Sequence, residues 1–341
     1  CWTGRPPGNP WSKATASNIL FRPAPMLPMR RMFTTDALVR TGVSILAALG
    51  SACFAAQGQT PAPAASEEKA AGPPPRNPLW VIGEGQSKVY LLGTIHLMSA
   101  RSYPLSEVIE KAYSDSKVIV FESDMRAINR PDTQVRLTQS GTYQRGGALK
   151  KSVSPATYAQ FEKHCAYAGL PVERMDRFRP WFCGITLTML EVRKLGYDLE
   201  YGTEQYFHTR ARKDGKKSAY FESIDENFEI FTGLSKREDE ELLLQTMDDL
   251  ELVRRDAAVL FEDWQTGDMD GLGAKLLQSF RKRPGIGRRL LTDRNRKWLP
   301  RIEEHLKSGQ TTLIVVGAAH ALGPGGLIEL LKKNGHAIRQ L

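Results

Sequence analysis

The chain has 341 residues, with 47 Lys/Arg against 38 Asp/Glu and a formal net charge of +9. Residues 1–55 contain six of those basic residues and one of the acidic ones, so the remainder carries only about +4. With no basic stripe interleaved with aromatics, the basic balance gives little support for a nucleic-acid or anionic-membrane partner, and no nucleic acid is expected.

In chain order, the first expected feature is a signal peptide. From Met29 there is a basic start (Arg30, Arg31), an apolar stretch from Val43 to Leu49, and small residues through Ala55-Ala56. Cleavage after Ala55, with Cys53 three positions before the cut, satisfies the small-x-small rule. The apolar run is shorter than the about 20 residues a spanning helix needs, so no transmembrane span is expected in the mature chain. Residues 1–55 are therefore assigned to upstream residues and a signal peptide, giving a periplasmic or secreted protein. A lipoprotein anchored at Cys53 is the alternative. Residues 56–78 form a Pro/Ala-rich linker that cannot bury apolar surface. The folded domain is placed at residues 79–341, long enough for a well-buried core.

Within that domain, Leu79–Gly83 and Lys88–Leu92 are expected to form a hairpin around Glu84–Ser87. A helix is expected over Pro104–Ser114, with Pro104 in its first turn, then a strand at Lys117–Phe121. Residues 130–200 are mostly helical. A helix at Tyr197–Arg212 leads into a strand at Ser218–Phe221. Asp239–Trp264 is a long amphipathic helix, with Leu243, Met247, Leu250, Ala257, Leu260 and Trp264 near helical spacing. Another helix covers Gly285–Leu306. The chain closes with an apolar strand, a Gly-Pro-Gly-Gly loop, a helix, a turn at Asn334-Gly335 and a strand at Ala337–Leu341. The expected fold is α/β: a central mixed sheet from two related strand–helix halves, with a helical middle segment. Cys165 and Cys183 fall in helical-looking segments, and their pairing is left open.

Two segments share one layout. Val89-Tyr90-Leu91-Leu92-Gly93-Thr94-Ile95-His96 and Leu313-Ile314-Val315-Val316-Gly317-Ala318-Ala319-His320 are both apolar runs followed by Gly-x-x-His. Val120-Phe121-Glu122-Ser123 and Tyr220-Phe221-Glu222-Ser223 both carry Phe-Glu-Ser at an expected strand end. Strand C-termini in α/β sheets are where ligands bind, so the four segments are expected to converge on one site. The glycines are expected to provide sharp turns and close backbone approach. Two histidines with one or two carboxylates are a common ligand set for a divalent catalytic ion such as Mn, Co or Zn. His96, Glu122 and His320 are the expected ligands and Glu222 the general base, although the sequence does not order the two glutamates. Glu122 is preferred as ligand because one helix-plus-strand unit separates it from His96. Arg294 lies four residues from both Leu290 and Trp298, a charge on an apolar face. It is expected to pair with a glutamate or stabilise an oxyanion, with Asn295 assisting.

These residues resemble the TraB/GumN (PrgY, TIKI-like) family. The resemblance runs through Gly93-Thr94-Ile95-His96, Glu122, Arg179-Pro180-Trp181, Gly196-Tyr197-Asp198 and Tyr220-Phe221-Glu222-Ser223. It continues through Arg294-Asn295 with Trp298, and Val316-Gly317-Ala318-Ala319-His320 with Gly323 and Gly326-Leu327. Phe221 stands where the family usually has Leu, and Tyr220 where it usually has Gly. The resemblance implies a fold akin to the erythromycin esterase and ChaN-like group. It also implies a possible metal-dependent protease using the Gly-x-x-His histidines and a glutamate. Two functions fit these residues. One is an exported metal-dependent hydrolase with a peptide or protein substrate. The other is a non-catalytic protein that sequesters a peptide or haem-like ligand, or an accessory factor in polysaccharide biosynthesis.

Overall fold

The computed structural model describes residues 76–341 apart from 84–87, 96–97, 99–101, 129 and 196–200. The signal peptide, most of the linker, the Glu84–Ser87 turn, Gly196-Tyr197-Asp198 and His96 therefore lie outside the described residues.

Six strands form one mixed sheet: β1 (Leu79–Ile82), β2 (Val89–Thr94), β3 (Val118–Phe121), β4 (Lys217–Tyr220), β5 (Thr312–Gly317) and β6 (Ile338–Gln340). Their order is β4-β3-β5-β2-β1-β6. The β4-β3-β5-β2 block is parallel. β1 pairs antiparallel with β2 and β6. β2 and β5 are buried at every position, which is why both read as unbroken apolar runs rather than alternating ones. The edge strands β4 and β6 are only partly buried.

The strand order corrects one expectation. β3 is not the neighbour of β2, because β5 from the far end of the chain lies between them. Like motifs are adjacent instead. The two Gly-x-x-His strands, β2 and β5, pair in register from Val89↔Thr312 to Thr94↔Gly317. The two Phe-Glu-Ser strands, β3 and β4, pair from Val118↔Lys217 to Phe121↔Tyr220.

The main helices are α1 (Glu107–Asp115), α2 (Pro131–Gly141), α3 (Pro155–Ala168), α4 (Pro180–Lys194), α5 (Thr203–Lys213), α6 (Ile224–Thr232), α7 (Lys236–Thr266), α8 (Met269–Leu276), α9 (Asp293–Lys307), α10 (Ala318–Ala321) and α11 (Leu327–Lys333). Two apolar cores result, one around the sheet and one among the middle helices. Helix α7 joins them. Its Leu243, Met247 and Leu250 pack in the helical core, and its Leu260 and Trp264 in the sheet core. A capping box of Ser235 and Glu238 starts it, and Gly267 in the left-handed conformation (φ 71°) ends it. Helix α1 begins later than expected, at Glu107. Ser106, not Pro104, fixes its start by accepting from the Ile109 N–H.

The expected single helix over Gly285–Leu306 is broken. A short helix at Pro284–Gly287 leads into a π-helical segment at Arg288–Thr292, and α9 follows. The apolar spacing carries no sign of this extra-wide turn, which immediately precedes Arg294 and Asn295. The cysteines are both free and buried. Burial pushes the Cys165 thiol up to about 12, and the Cys183 thiol donates weakly to the Met175 and Phe178 carbonyls.

Candidate active site at the carboxyl edge of the sheet

Each candidate side chain is positioned by where its strand stops. Glu122 and Glu222 directly follow β3 and β4, and the Glu222 N–H donates to the Glu122 carbonyl (2.8 Å), extending the parallel ladder by one rung. Ser223 then caps α6, in a capping box with Glu226, which turns the chain away from the sheet. On the other side of β3, β5 ends at Gly317 and α10 carries His320.

The glycines of the paired motifs act differently from the sharp-turn expectation. Gly93 lies inside β2, where an added Cβ would come within 3.3 Å of Ala318 Cα. It permits close approach of β2 to α10. Gly317 has an ordinary φ of −56°, and its N–H donates to Glu122 Oε1 at 2.8 Å.

Arg294 of α9 lies at the centre. It is 5% exposed, against 2% for Glu122, 8% for Glu222 and 0% for His320. All five of its N–H groups are donated. Nε–H goes to Glu222 Oε1 (2.7 Å), and Nη2 reaches Glu222 Oε2 and Glu122 Oε2 (both 2.9 Å). Nη1 reaches the Leu290 carbonyl (3.2 Å) and His320 Nε2 (3.0 Å). Its guanidinium carbon sits 4.7 Å from the Trp298 ring centroid, as the shared helical face predicts. Burial pushes the Arg294 pKa down, but the charges of Glu122 and Glu222 outweigh it, so the group is held above its ordinary value.

Glu222 is equally engaged. Oε1 accepts from Arg294 and from Trp298 Nε1 (3.1 Å), and Oε2 from Arg294 and Asn227 Nδ2 (3.3 Å). That fills the roughly four acceptor positions of a carboxylate. Asn295 is an orienting group. Its Nδ2 donates to the His320 and Gly325 carbonyls, which directs its Oδ1 at His320 Nδ1, 2.7 Å away. His320 Nδ1 therefore carries the proton, and the Nε2 lone pair faces Arg294. Gly325, at φ 75°, allows the turn that presents its carbonyl to Asn295.

The structure thus brings Glu122, Glu222, Arg294, Asn295 and His320 into one cluster; His96 lies outside the described residues. Trp298 and Asn227 as partners of Glu222 were missed by sequence reasoning. The Ser223–Glu226 capping-box spacing was the available signal, since it puts Asn227 in the first turns of a helix starting beside Glu222. Among the described residues, three buried polar atoms at the end of β2 and at the turns after β3 and β4 have no hydrogen-bond partner: Thr94 Oγ1, Ser123 Oγ and Asn227 Oδ1. A groove of about 500 Å³ opens onto Glu222, Arg294 and Trp298. Arg289, Lys297, Arg301 and Glu226, Glu229, Asp293 rim it, and Phe221 stacks on Trp298 beneath it (5.1 Å between centroids).

The residue types suit a divalent ion, but this arrangement does not present them to one. The single lone pair at His320 Nε2 faces Arg294, and Glu222 has no acceptor position left. Among the described residues, no three His, Cys, Asp or Glu side chains are arranged to hold a metal.

A buried Glu–Arg–Glu–His cluster at the C-termini of the parallel strands of a mixed α/β sheet is a candidate active site. The TraB/PrgY/gumN family profile matches residues 78–340, and the chain belongs to that family. No curated protein and no solved structure matches it.

Proposed function

We propose that this protein is a hydrolase acting on peptide or protein substrates at the carboxyl edge of its sheet, with Glu122 as general base. One observation carries the reading: two carboxylates, an arginine and an imidazole are buried together from four distant segments. Burying charges is costly, and replacing such a group by apolar side chains is often neutral or stabilising. An ionic cluster at strand C-termini, below a groove, is therefore better explained by chemistry than by stability.

In this mechanism Glu122 takes a proton from a water molecule, the water oxygen attacks the scissile carbonyl, and the proton passes to the leaving amine. The Gly317 N–H and Arg294 Nη2 hold the Glu122 carboxylate in place. Glu222, His320, Asn295 and Trp298 act as positioning residues that fix Arg294. With all five N–H groups engaged, Arg294 assists a developing oxyanion through its field rather than by a direct bond. The test of the function is incubation of the purified chain with a complex peptide mixture, read by mass spectrometry. Cleavage should appear and fall on the order of 10²–10⁴-fold in Glu122→Gln. No cleavage, or an equally active Glu122→Gln, would refute the proposal.

A second reading is a non-catalytic binding protein. The mixed-charge groove over the Phe221–Trp298 stack favours it. Recovery of an intact bound peptide would select it. We also propose export, with a periplasmic or secreted mature chain. A fusion carrying residues 26–80 should be processed near Ala55, and fatty-acid labelling at Cys53 would select the lipoprotein form instead. Among the described residues, no helix is long and apolar enough to cross a membrane.

A further inference from the structure

We infer that Arg294 is the resident cation of this centre, standing where a divalent ion would otherwise be held by Glu122, Glu222 and His320. The inference concerns the cation alone and stands whether or not the centre hydrolyses peptides.

Distances and lone pairs both point to the guanidinium. His320 Nε2 and Glu122 Oε2 are 3.8 Å apart. Two ligands of a tetrahedral ion at about 2.0–2.2 Å would stand roughly 3.3–3.6 Å from each other, so the pair is close to ligating separation. The guanidinium meets both atoms from between, at 3.0 and 2.9 Å, and meets both oxygens of Glu222 as well. A metal bound to His320 would need the lone pair that now accepts from Nη1. The imidazole cannot turn its other nitrogen inward without breaking its bond to Asn295, whose amide is itself fixed by two carbonyls. Arg294 is also held from outside the ligand set, by the Leu290 carbonyl and the Trp298 ring. An arginine lacking such supports could swing aside for an ion; this one is fixed. The charge is also supplied, because guanidinium cannot be deprotonated under protein conditions.

The consequence is that removing the guanidinium should create a metal site, rather than merely weaken the fold. Full-length wild type, Arg294→Met, Glu122→Gln and His320→Gln would each be loaded with Zn²⁺ or Co²⁺, desalted and assayed by elemental analysis and visible Co²⁺ absorption. Wild type should hold no ion that Glu122→Gln or His320→Gln removes. Arg294→Met should gain one bound ion, with a Co²⁺ band characteristic of nitrogen and oxygen ligation. The inference is overturned by a wild-type ion that Glu122→Gln or His320→Gln strips away. A folded Arg294→Met that takes up no Co²⁺ overturns it equally. If Arg294→Met does not fold, the wild-type comparison with Glu122→Gln and His320→Gln still decides.

Discussion

Two buried clusters in this molecule contain the same three residue types. At the sheet edge, Arg294 joins Glu122, Glu222 and His320. In the helical lobe, Arg254 of α7 joins Glu191 of α4 and His164 of α3. The sheet-edge cluster is closed: every N–H of Arg294 and both oxygens of Glu222 are engaged. The lobe cluster is looser. Arg254 is 24% exposed and also packs over Tyr167. His164 Nε2 makes no hydrogen bond, although Glu251 lies 3.5 Å away. The Arg254–Glu191 pair stands at 2.7 Å without hydrogen-bond alignment at Nε and Oε2. Residue type therefore does not separate a candidate active site from a helix clamp. Position does. One cluster gathers the ends of three parallel strands beneath a groove, and the other staples three helices side by side.

The largest expected difference between the clusters is in stability. Arg294→Ala leaves two carboxylates buried without their cation and should destabilise by about 3–5 kcal/mol. Arg254→Ala leaves one buried carboxylate, Glu191, which keeps His164 as a neighbour, and removes a cation that is itself part exposed; it should lose about 1–3 kcal/mol. Chemical denaturation of both variants checks the ranking, and equal losses would break the comparison. Trp298→Phe preserves the stacking face and removes one donor to Glu222. It should sharpen the picture with a loss of roughly 1.5–3 kcal/mol, below that of Arg294→Ala.

A further effect, seen only as a dependence on pH, belongs to the lobe alone. Burial raises the Asp249 carboxyl of α7 from its ordinary value to about 7, against a stabilising bond from Gln245. A carboxyl whose folded-state pKa is raised binds more protons folded than unfolded between about pH 4 and 7. Stability from this residue therefore falls as pH rises through that window. Asp249→Asn should flatten the decline: it should be more stable than wild type at pH 8, with the advantage shrinking toward pH 4. Thermal melts across that range check the sign.

Much of the centre is legible in the amino-acid sequence. The paired Gly-x-x-His and Phe-Glu-Ser strands stand out as continuous apolar runs because β2, β3 and β5 are fully buried. Arg294 stands out because a charge on an apolar helix face needs a partner. The strand order is not legible. Placing β5 between β2 and β3 depends on packing across more than 190 residues, for which local pattern carries no signal. The π-helical segment before Arg294 is equally hidden, since a single extra-wide turn leaves hydrophobic spacing almost unchanged. Nor does a set of ligand-type residues reveal that a guanidinium lies between them. That fact is three-dimensional, and it changes the chemistry expected of the same five side chains.

The most direct measurement of the central claim is peptide turnover in ¹⁸O-labelled water. Wild type, Glu122→Gln and the lobe variant Glu191→Gln would be compared on one peptide mixture by mass spectrometry. New product carboxyl groups carrying one ¹⁸O atom should appear with wild type and with any folded Glu191→Gln, and should be almost completely lost with Glu122→Gln. Peptides that bind but emerge uncut and unlabelled, or labelling that persists undiminished in Glu122→Gln, would contradict a hydrolytic centre at the sheet edge.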